Sequence, residues 1–373
     1  MMKKLFAVVA ISALGGNAYA QSNVTLYGIV DTGIAYIHNS GGHNQVKMSD
    51  ANVSVDSWGL KGTEDLGGGL SAIFTLENGF ALSSGQLQQA NTLFGRQAYV
   101  GLASGSWGTI TLGKQYDPIS DLLQPLTADS FSGFFATPGD VDNYDSSARF
   151  SNAVKWVSPS WSGLTVEGMY SLGGVAGATG SGQTYSGAAG YTHGDLGLAA
   201  GFIHIDNGNV TLSNRGTTTA DSLFNSAVNS AYASARSVNI ARAGAQYGVD
   251  QVKFGGAYSY SEYSPDASST FTRSQKFQNI SVFASWQMSP AVQFIGGYNF
   301  TKSSGDSSAK YHQFNLGADY ALSKRTDVYA MAGYGHASGQ NGLGAAQAVI
   351  GSFDVNSGAN YQVMGIVGLR SRF

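Results

Sequence analysis

The order of short and long breaks between its alternating segments constrains the fold of this chain more than any other feature. Very short, turn-like connections separate some neighbouring segments, long polar stretches rich in Gly and Ser separate the others, and the two kinds alternate along the chain. The short connections fall at residues 64–67, 104–106, 159–160, 194–195, 249–250, 289–290 and 323–324, and the long ones at 38–47, 79–90, 116–147, 173–184, 206–236, 261–274, 303–308 and 337–357. Seven short and eight long connections predict sixteen strands that run up and down in antiparallel order.

Each of these segments has one apolar and one polar face. In VQFIGGYNF, Phe294, Tyr298 and Phe300 share one side of a strand, whereas Gln293 and Asn299 share the other. Only closure removes the edges of such a sheet, and a closed barrel of about sixteen strands is too wide for side chains to fill. Its polar face must then line water and its apolar face must meet lipid. The composition, 12% charged and 43% hydrophobic, agrees with an all-β, sixteen-stranded, antiparallel up-and-down transmembrane β-barrel.

The last segment, NYQVMGIVGLRSRF, alternates up to its final residue, Phe373. Soluble domains usually let their last residues fray. A closed barrel instead requires the last strand to pair with the first, NVTLYGIVDTGIAYI, so we expect no free tail. We also expect Phe373 to lie in the aromatic girdle at one membrane interface.

The first twenty residues carry the pattern of a cleaved export signal. Lys3 and Lys4 precede an apolar run over residues 5–14, and a small-residue cleavage pattern follows at 18–20. We therefore predict a signal peptide at 1–20 and a single barrel domain at 21–373. Removal of the two lysines changes the formal charge from −3 to −5, and this acidity argues against a nucleic-acid partner.

Six stretches, in order along the chain, carry a family resemblance. They are VTLYGIVDTGIAY, WGLKGTEDLGGGLSAIFTLE, FGRQAYVGL, GTITLGKQYD, RFSNAVKW and GLRSRF. They resemble the trimeric general porins of Gram-negative, especially β-proteobacterial, outer membranes. The resemblance implies a homotrimer in the cell outer membrane, surrounded by lipid and lipopolysaccharide, through which ions and small hydrophilic solutes diffuse passively. It also implies that the terminal Phe373 is a signal read by the barrel-assembly machinery.

A long polar segment, residues 116–147, is strongly acidic. It carries Asp117 and Asp121 and four further aspartates at 129, 140, 142 and 145, and it has no Lys or Arg. The segment resembles the third loop of the porins, which folds inward to narrow the pore and contributes carboxylates to the constriction. Asp117 and Asp121, in or next to the GKQYD stretch, are the preferred candidates. The other four have an alternative interpretation as residues that only solvate the loop.

Basic residues on neighbouring strands are predicted to face this loop. In RFSNAVKW, Arg149 and Lys155 share the side of the strand that points to water. Arg96 and Lys61 are interpreted in the same way, and Arg96 and Arg149 match arginine positions of the porin pore wall. The predicted constriction set is Lys61, Arg96, Lys114, Asp117, Asp121, Arg149 and Lys155.

An acidic loop opposite an arginine wall would set up a transverse field across a narrow aqueous gap. The chain departs from the family at Ser57, since it has DSWGL where many relatives have an SRWGL-like stretch with one more arginine. The sign of any ion selectivity therefore stays open. Arg96 and Arg149 also have an alternative interpretation as ordinary solvated residues of the lumen.

Other functions remain beside the general porin. The same barrel could be a substrate-selective channel with a weak solute site on Arg96 and Arg149, an adhesin or structural anchor, or an enzyme. An enzyme is disfavoured because His336 and Ser338, the closest approach to a catalytic pair, lack an orienting group. We predict no catalytic, cofactor-binding or metal-binding residues.

Overall fold

One continuous antiparallel sheet dominates the fold in a computed structural model of the protein, which describes residues 23–208 and 223–373. The strands are β1 (Asn23–Ser40), β2 (His43–Asp50), β3 (Ser57–Gly67), β4 (Leu70–Gly79), β5 (Gln97–Ser104), β6 (Gly108–Gln115), β7 (Phe150–Val157), β8 (Leu164–Ser171), β9 (Thr184–His193), β10 (Leu196–Asp206), β11 (Ser237–Val249), β12 (Val252–Ser264), β13 (Gln275–Ser289), β14 (Val292–Ser304), β15 (Ser308–Ala321), β16 (Thr326–Asn341), β17 (Gly344–Ala345) and β18 (Tyr361–Arg372). The helical elements of these residues are α1 (Pro118–Leu123) and 3₁₀ turns at Gln124–Leu126, Ala128–Ser130, Gly133–Phe135, Pro138–Asp140 and Ser230–Tyr232. None of the described helices has the length and apolar composition that crossing a bilayer requires. The predicted signal peptide at 1–20 lies outside the described residues.

The sheet closes on itself through its first and last strands. β1 pairs with β18 along one edge, where Ile29 lies opposite Arg372, and with β2 and β3 along the other. The N–H of Phe373 donates to the carbonyl of Gly28 at 3.0 Å, and the N–H of Gly28 donates back at 3.1 Å. The Phe373 ring covers Gly28, where a side chain would collide with it. The chain is therefore paired up to its last residue, as predicted.

Sixteen strand positions surround the barrel axis within the described residues. The sheet contains 18 strands, but β2 and β3 occupy two halves of one position beside β1, and β17 only adds two residues to the edge of β16. The resulting count of sixteen, with antiparallel pairing throughout, confirms the predicted barrel. Short turns lie at one end, here termed the turn end, and the longer connections lie at the other, the loop end.

Two of the predicted long connections are tight. β1 and β2 are joined across Gly41 and Gly42, whose φ angles of 59° and 83° are left-handed, so the predicted loop at 38–47 is mostly strand. β14 and β15 are joined through residues 305–307 alone. Both predictions were wrong because a polar, Gly-containing sequence is common to open loops and to hydrogen-bonded hairpins.

The barrel is apolar on its outside and polar within. On β15, Leu316 is 67% exposed on the outer face, whereas its neighbour Asn315 is 2% exposed on the inner face. On β13, Val282 is exposed outside and Ser281 is buried inside. This distribution is the reverse of that in a soluble protein and suits lipid around the outer wall.

Residues 116–147, here termed the inner loop, pack against the inner wall of the barrel. A methyl group added at Gly201 of β10 would lie 2.8 Å from Ile119 of α1, and one added at Gly333 of β16 would lie 2.7 Å from the ring of Phe134. Glycine on the wall thus makes room for apolar side chains of the loop. The hydrophobic core consequently lies inside the barrel, between the inner loop and the wall.

Candidate functional site: the passage through the barrel

A cavity of about 1060 Å³ lies between the inner loop and the opposite wall. That wall is built from the end of β2, the β4–β5 connection and the β16–β18 connection. Among the described residues, the charged side chains of its lining are Lys47, Arg96, Arg149, Asp50, Asp121, Asp129, Asp145 and Asp354. Cations and carboxylates therefore share one aqueous space.

Two arginines, Arg96 and Arg149, line one side of this cavity, and both lie near the ring of Tyr116. The guanidinium of Arg96 lies 5.8 Å from the ring centre and that of Arg149 lies 5.4 Å from it. Arg96 Nε also donates to Glu77 Oε1 at 2.5 Å, and Arg149 donates to the carbonyl of Ser147 at 3.3 Å. Cation–π contacts and hydrogen bonds restrict both side chains, so their charges have defined positions in the passage.

Two aspartates of the inner loop face the same cavity. Gln124 Nε2 donates to Asp129 Oδ2 at 2.5 Å, and Ser352 Oγ donates to Asp145 Oδ2. Burial, together with the charge of Asp140, raises the pKa of Asp145 to about 6. Burial and the charge of Asp145 raise the pKa of Asp129 as well. Both carboxyls therefore bind protons at a higher pH than a free aspartate does.

Asp121 lines the cavity as one member of an ion pair. Its carboxylate contacts Lys155 Nζ, which also donates to the carbonyl of Tyr116 at 3.1 Å. Lys155 belongs to β7 and is buried, so the pair ties the inner loop to the barrel wall. Removal of either partner would leave a poorly compensated charge, which is costly at a buried site.

Asp117 caps α1 and is absent from the cavity lining. Its Oδ1 accepts from the N–H groups of Ile119 at 2.9 Å and Ser120 at 3.3 Å, the usual contacts of an N-cap. Its Oδ2 accepts from the Ser120 hydroxyl at 2.7 Å and the Asn143 amide at 3.1 Å. Burial raises the pKa of Asp117 in spite of these bonds.

Two further predicted residues, both lysines, lie away from the cavity. Lys61 is on the inner face of β3, with its Nζ 5.3 Å from the ring centre of Tyr27. Lys114 lies opposite Ala98, on the side of β6 that carries the outward-facing Leu112. Neither lysine is part of the cavity lining.

The predicted set therefore divides. The structure brings Arg96, Asp121 and Arg149 together around the cavity and joins Lys155 to them through its ion pair. The other three predicted residues lie elsewhere in the barrel.

Sequence reasoning missed Arg242 of β11, which is 3% exposed. Its guanidinium lies 4.3 Å from the ring centre of Tyr144 and donates to the carbonyl of Asn143 at 2.9 Å, beneath the inner loop. In VNIARAG it shares the inner face of the strand with Val238 and Ile240, which are also buried. The signal was hidden because the inner face of β11 is otherwise mostly apolar near the loop end.

Comparisons with known proteins agree with this geometry. The family described as Gram-negative porin matches residues 7–340. An outer membrane porin protein of Bordetella pertussis is 30% identical, with 90% of this chain and 94% of that protein covered. The solved structure of the anion-selective porin from Comamonas acidovorans has a TM-score of 0.74 at 24% identity and covers 95% of this chain and 100% of its own. OmpT of Vibrio cholerae in its trimer form has a TM-score of 0.66 at 19% identity, with 94% and 99% covered.

The two similar structures, at such low identity, show the fold alone. The family match and the Bordetella relative span most of the chain and show the family. They agree with a closed barrel whose polar interior holds a charged cavity of about 1060 Å³. The chain therefore belongs to the Gram-negative porin family and is a multi-pass outer-membrane porin, a water-filled channel for passive diffusion of ions and small hydrophilic solutes.

Proposed function

We propose that the inner loop and the wall opposite it form the constriction of this porin, with Arg96 and Arg149 facing Asp121, Asp129 and Asp145. The observation that carries the proposal is the cavity of about 1060 Å³ that all five side chains share. Charges of opposite sign across a narrow aqueous gap with low-dielectric walls create a focused transverse field. Such a field acts on every ion and polar solute in passage.

The constriction is proposed to act without tight binding. Arg96 already pairs with Glu77, and Asp121 already pairs with Lys155. A solute that replaced these partners would gain little, and a site that held its solute strongly would slow exit. These pairings favour a general pore over a substrate-selective channel or an enzyme.

The other predicted residues have supporting roles in this proposal. Lys155 would hold the inner loop from the wall, because it is buried on β7 and donates to the carbonyl of Tyr116. Asp117 would tie together the two ends of the loop through its bond from Asn143. Lys61 would line the wider passage toward the turn end. Lys114, on the outward side of β6, has no part in the constriction proposed here.

We further propose that the chain is exported with cleavage of residues 1–20, is inserted by the barrel-assembly machinery through recognition of Phe373, and assembles as a homotrimer amid lipid and lipopolysaccharide. The trimer form of the Vibrio OmpT, which shares the fold, supports the oligomer. The side chain of Phe373 is exposed while its backbone is paired with Gly28, and this arrangement supports a role of the ring in recognition.

A planar bilayer tests the proposal. Purified wild type should insert in three-step conductance increments, and Arg149→Ala should shift the reversal potential toward cations while Arg149→Lys should not. Absence of conductance from correctly folded protein would refute the open pore. Block that saturates with one solute at low concentration would instead indicate a substrate-selective channel.

A further inference from the structure

A second segment enters the barrel beside the inner loop, at residues 51–56 between β2 and β3. β1 is unbroken, yet its neighbour stops at Asp50, opposite Thr32, and resumes at Ser57, opposite Ile29. Six residues thus occupy a gap that an uninterrupted strand would fill with two. The surplus chain must leave the sheet, as in an extended β-bulge. We term residues 51–56 the strand insertion.

Hydrogen bonds hold the strand insertion against the inner wall. The buried carboxylate of Asp31 on β1 accepts from the N–H groups of Val53 at 2.8 Å and Ser54 at 2.7 Å. Arg370 Nη1 on β18 donates to the Ser54 hydroxyl at 2.8 Å. Because these partners belong to rigid strands, the insertion has a defined position inside the barrel.

The strand insertion also meets the inner loop. Ser132 Oγ donates to the carbonyl of Asn52. Val53 belongs to the same apolar cluster as Phe131, which packs at its edge. The strand insertion and the inner loop therefore contact each other, and residues of both line the larger cavity.

Two cavities meet at this level. Below the larger one lies a cavity of about 250 Å³ near the turn end, whose lining includes Lys253 and Arg370. Three residues line both: Val53 of the strand insertion, and Pro125 and Ser130 of the inner loop. Pro125 and Ser130 are exposed although they lie inside the barrel, so they face the passage. Val53, Pro125 and Ser130 therefore lie between the two cavities.

We propose that Val53, Pro125 and Ser130 form the narrowest ring of the channel and set its size limit. This inference rests on the proposed function and adds a second filter to it. The ring is uncharged, whereas Arg149 and Asp145 line only the larger cavity. A solute moving inward thus passes the charged lining of the larger cavity, then the uncharged ring, then the charged lining of the smaller cavity, so charge and size selection are carried by different residues.

Cysteine modification tests the ring, because the chain has no cysteine of its own. Ser130→Cys places a thiol in the ring with little change of volume, and Gln88→Cys places one in the lining of the larger cavity alone. A neutral methanethiosulfonate reagent, added after trimers have inserted in a bilayer, should lower the conductance of Ser130→Cys by about half or more. The Gln88→Cys channel should lose much less.

A second variant widens the same ring. Val53→Ala should admit larger neutral sugars in liposome swelling and leave the reversal potential unchanged, because no charge is altered. Two results would refute the assignment of the ring. One is an equal loss of conductance in the two cysteine variants. The other is an unchanged conductance of Ser130→Cys after mass spectrometry has verified that its thiol is modified. Either result with a conducting wild type would leave the proposed function standing, whereas a silent wild type would refute that function itself.

Discussion

Acidification should move the selectivity of this channel toward anions. Among the described residues, the larger cavity is lined by five carboxylates and three cations, which leaves an excess of two negative charges when all are ionised. Burial raises the pKa values of Asp129 and Asp145, so these two groups take up protons at a pH where a free aspartate is still ionised. The pKa of Asp354 is also raised, to about 7, so this residue titrates in the same direction, but it is exposed to water and its charge is better screened. Between pH 8 and pH 5 Asp145, whose pKa is about 6, loses most of its negative charge, and protonation of Asp129 acts in the same direction, so the excess falls by as much as two charges.

The size of the effect follows from Coulomb's law. At about 10 Å in water, one unit charge interacts with an ion by about 0.4 kcal/mol, and salt near 0.1 M reduces this to about 0.15 kcal/mol. Two charges favour cations by about 0.3 kcal/mol and disfavour anions equally, so the permeability ratio should change about threefold. Under a tenfold salt gradient this corresponds to roughly 20 mV, a third of the ~60 mV of an ideally selective pore.

The assay is the reversal potential of wild type at pH 8 and pH 5 under the same gradient. Asp145→Asn should begin closer to the anion side at pH 8 and should show a smaller change on acidification. Arg149→Ala is the matched control, because it should move the potential toward cations at both pH values and keep the direction of the pH dependence. A wild-type potential that is unchanged, or that moves toward cations at pH 5, would refute the assignment of the buried pair to the ion path.

Three further predictions concern packing, the strand insertion and assembly. Gly333→Leu should lower barrel stability by about 1–3 kcal/mol, because the new side chain collides with Phe134. The loss of stability should appear as a lower temperature at which the folded band disappears in heat-modified gel mobility. Gly365→Leu, on the outer face and in open space, is the control. Asp31→Ala leaves two N–H groups of the strand insertion without their acceptor, at a cost of about 1–3 kcal/mol each, so the insertion should move more and the single-channel current should become noisier. A current as quiet as that of wild type would contradict the role of Asp31 in holding the insertion. Phe373→Ser should reduce the amount of folded trimer in the outer membrane, and an unchanged yield would exclude the terminal ring as an assembly signal.

Much of the barrel was predictable because strand alternation and connection length are local properties. The strand insertion was missed for the same reason. Its sequence, ANVSVD, alternates polar and apolar residues and so looks like a continuation of the strand. What removes it from the sheet is the carboxylate of Asp31, which accepts two of its N–H groups. That competitor lies on another strand, and its proximity cannot be inferred from either segment alone.

The sequence predicts which side chains of the candidate site point into the barrel, but not which of them reach the cavity. Alternation places Arg149 and Lys155 on the inner face, yet it does not say that Arg149 lines the cavity whereas Lys155 contacts it only through Asp121. The role of Asp117 had a local signal, since an aspartate followed by proline is a common start of a helix. Its carboxylate was assigned to the pore because it lies in the GKQYD stretch that resembles the porins, and the capping pattern was not considered.

The hydrogen bonds that fix the inner loop to the wall affect how a change of reversal potential with pH should be interpreted. Carbonyl groups around Phe134 accept hydrogen bonds from the barrel wall. Asn299, Gln313 and Asn315 donate to the carbonyls of Phe134 and the two residues that follow it at 2.7–3.4 Å. These amides are uncharged at every pH between 5 and 8. Protonation of the buried aspartates therefore removes charge from the passage while these anchors of the loop persist. A change of reversal potential at constant conductance would thus report selectivity, whereas a concurrent rise in conductance would mean that the loop itself had moved.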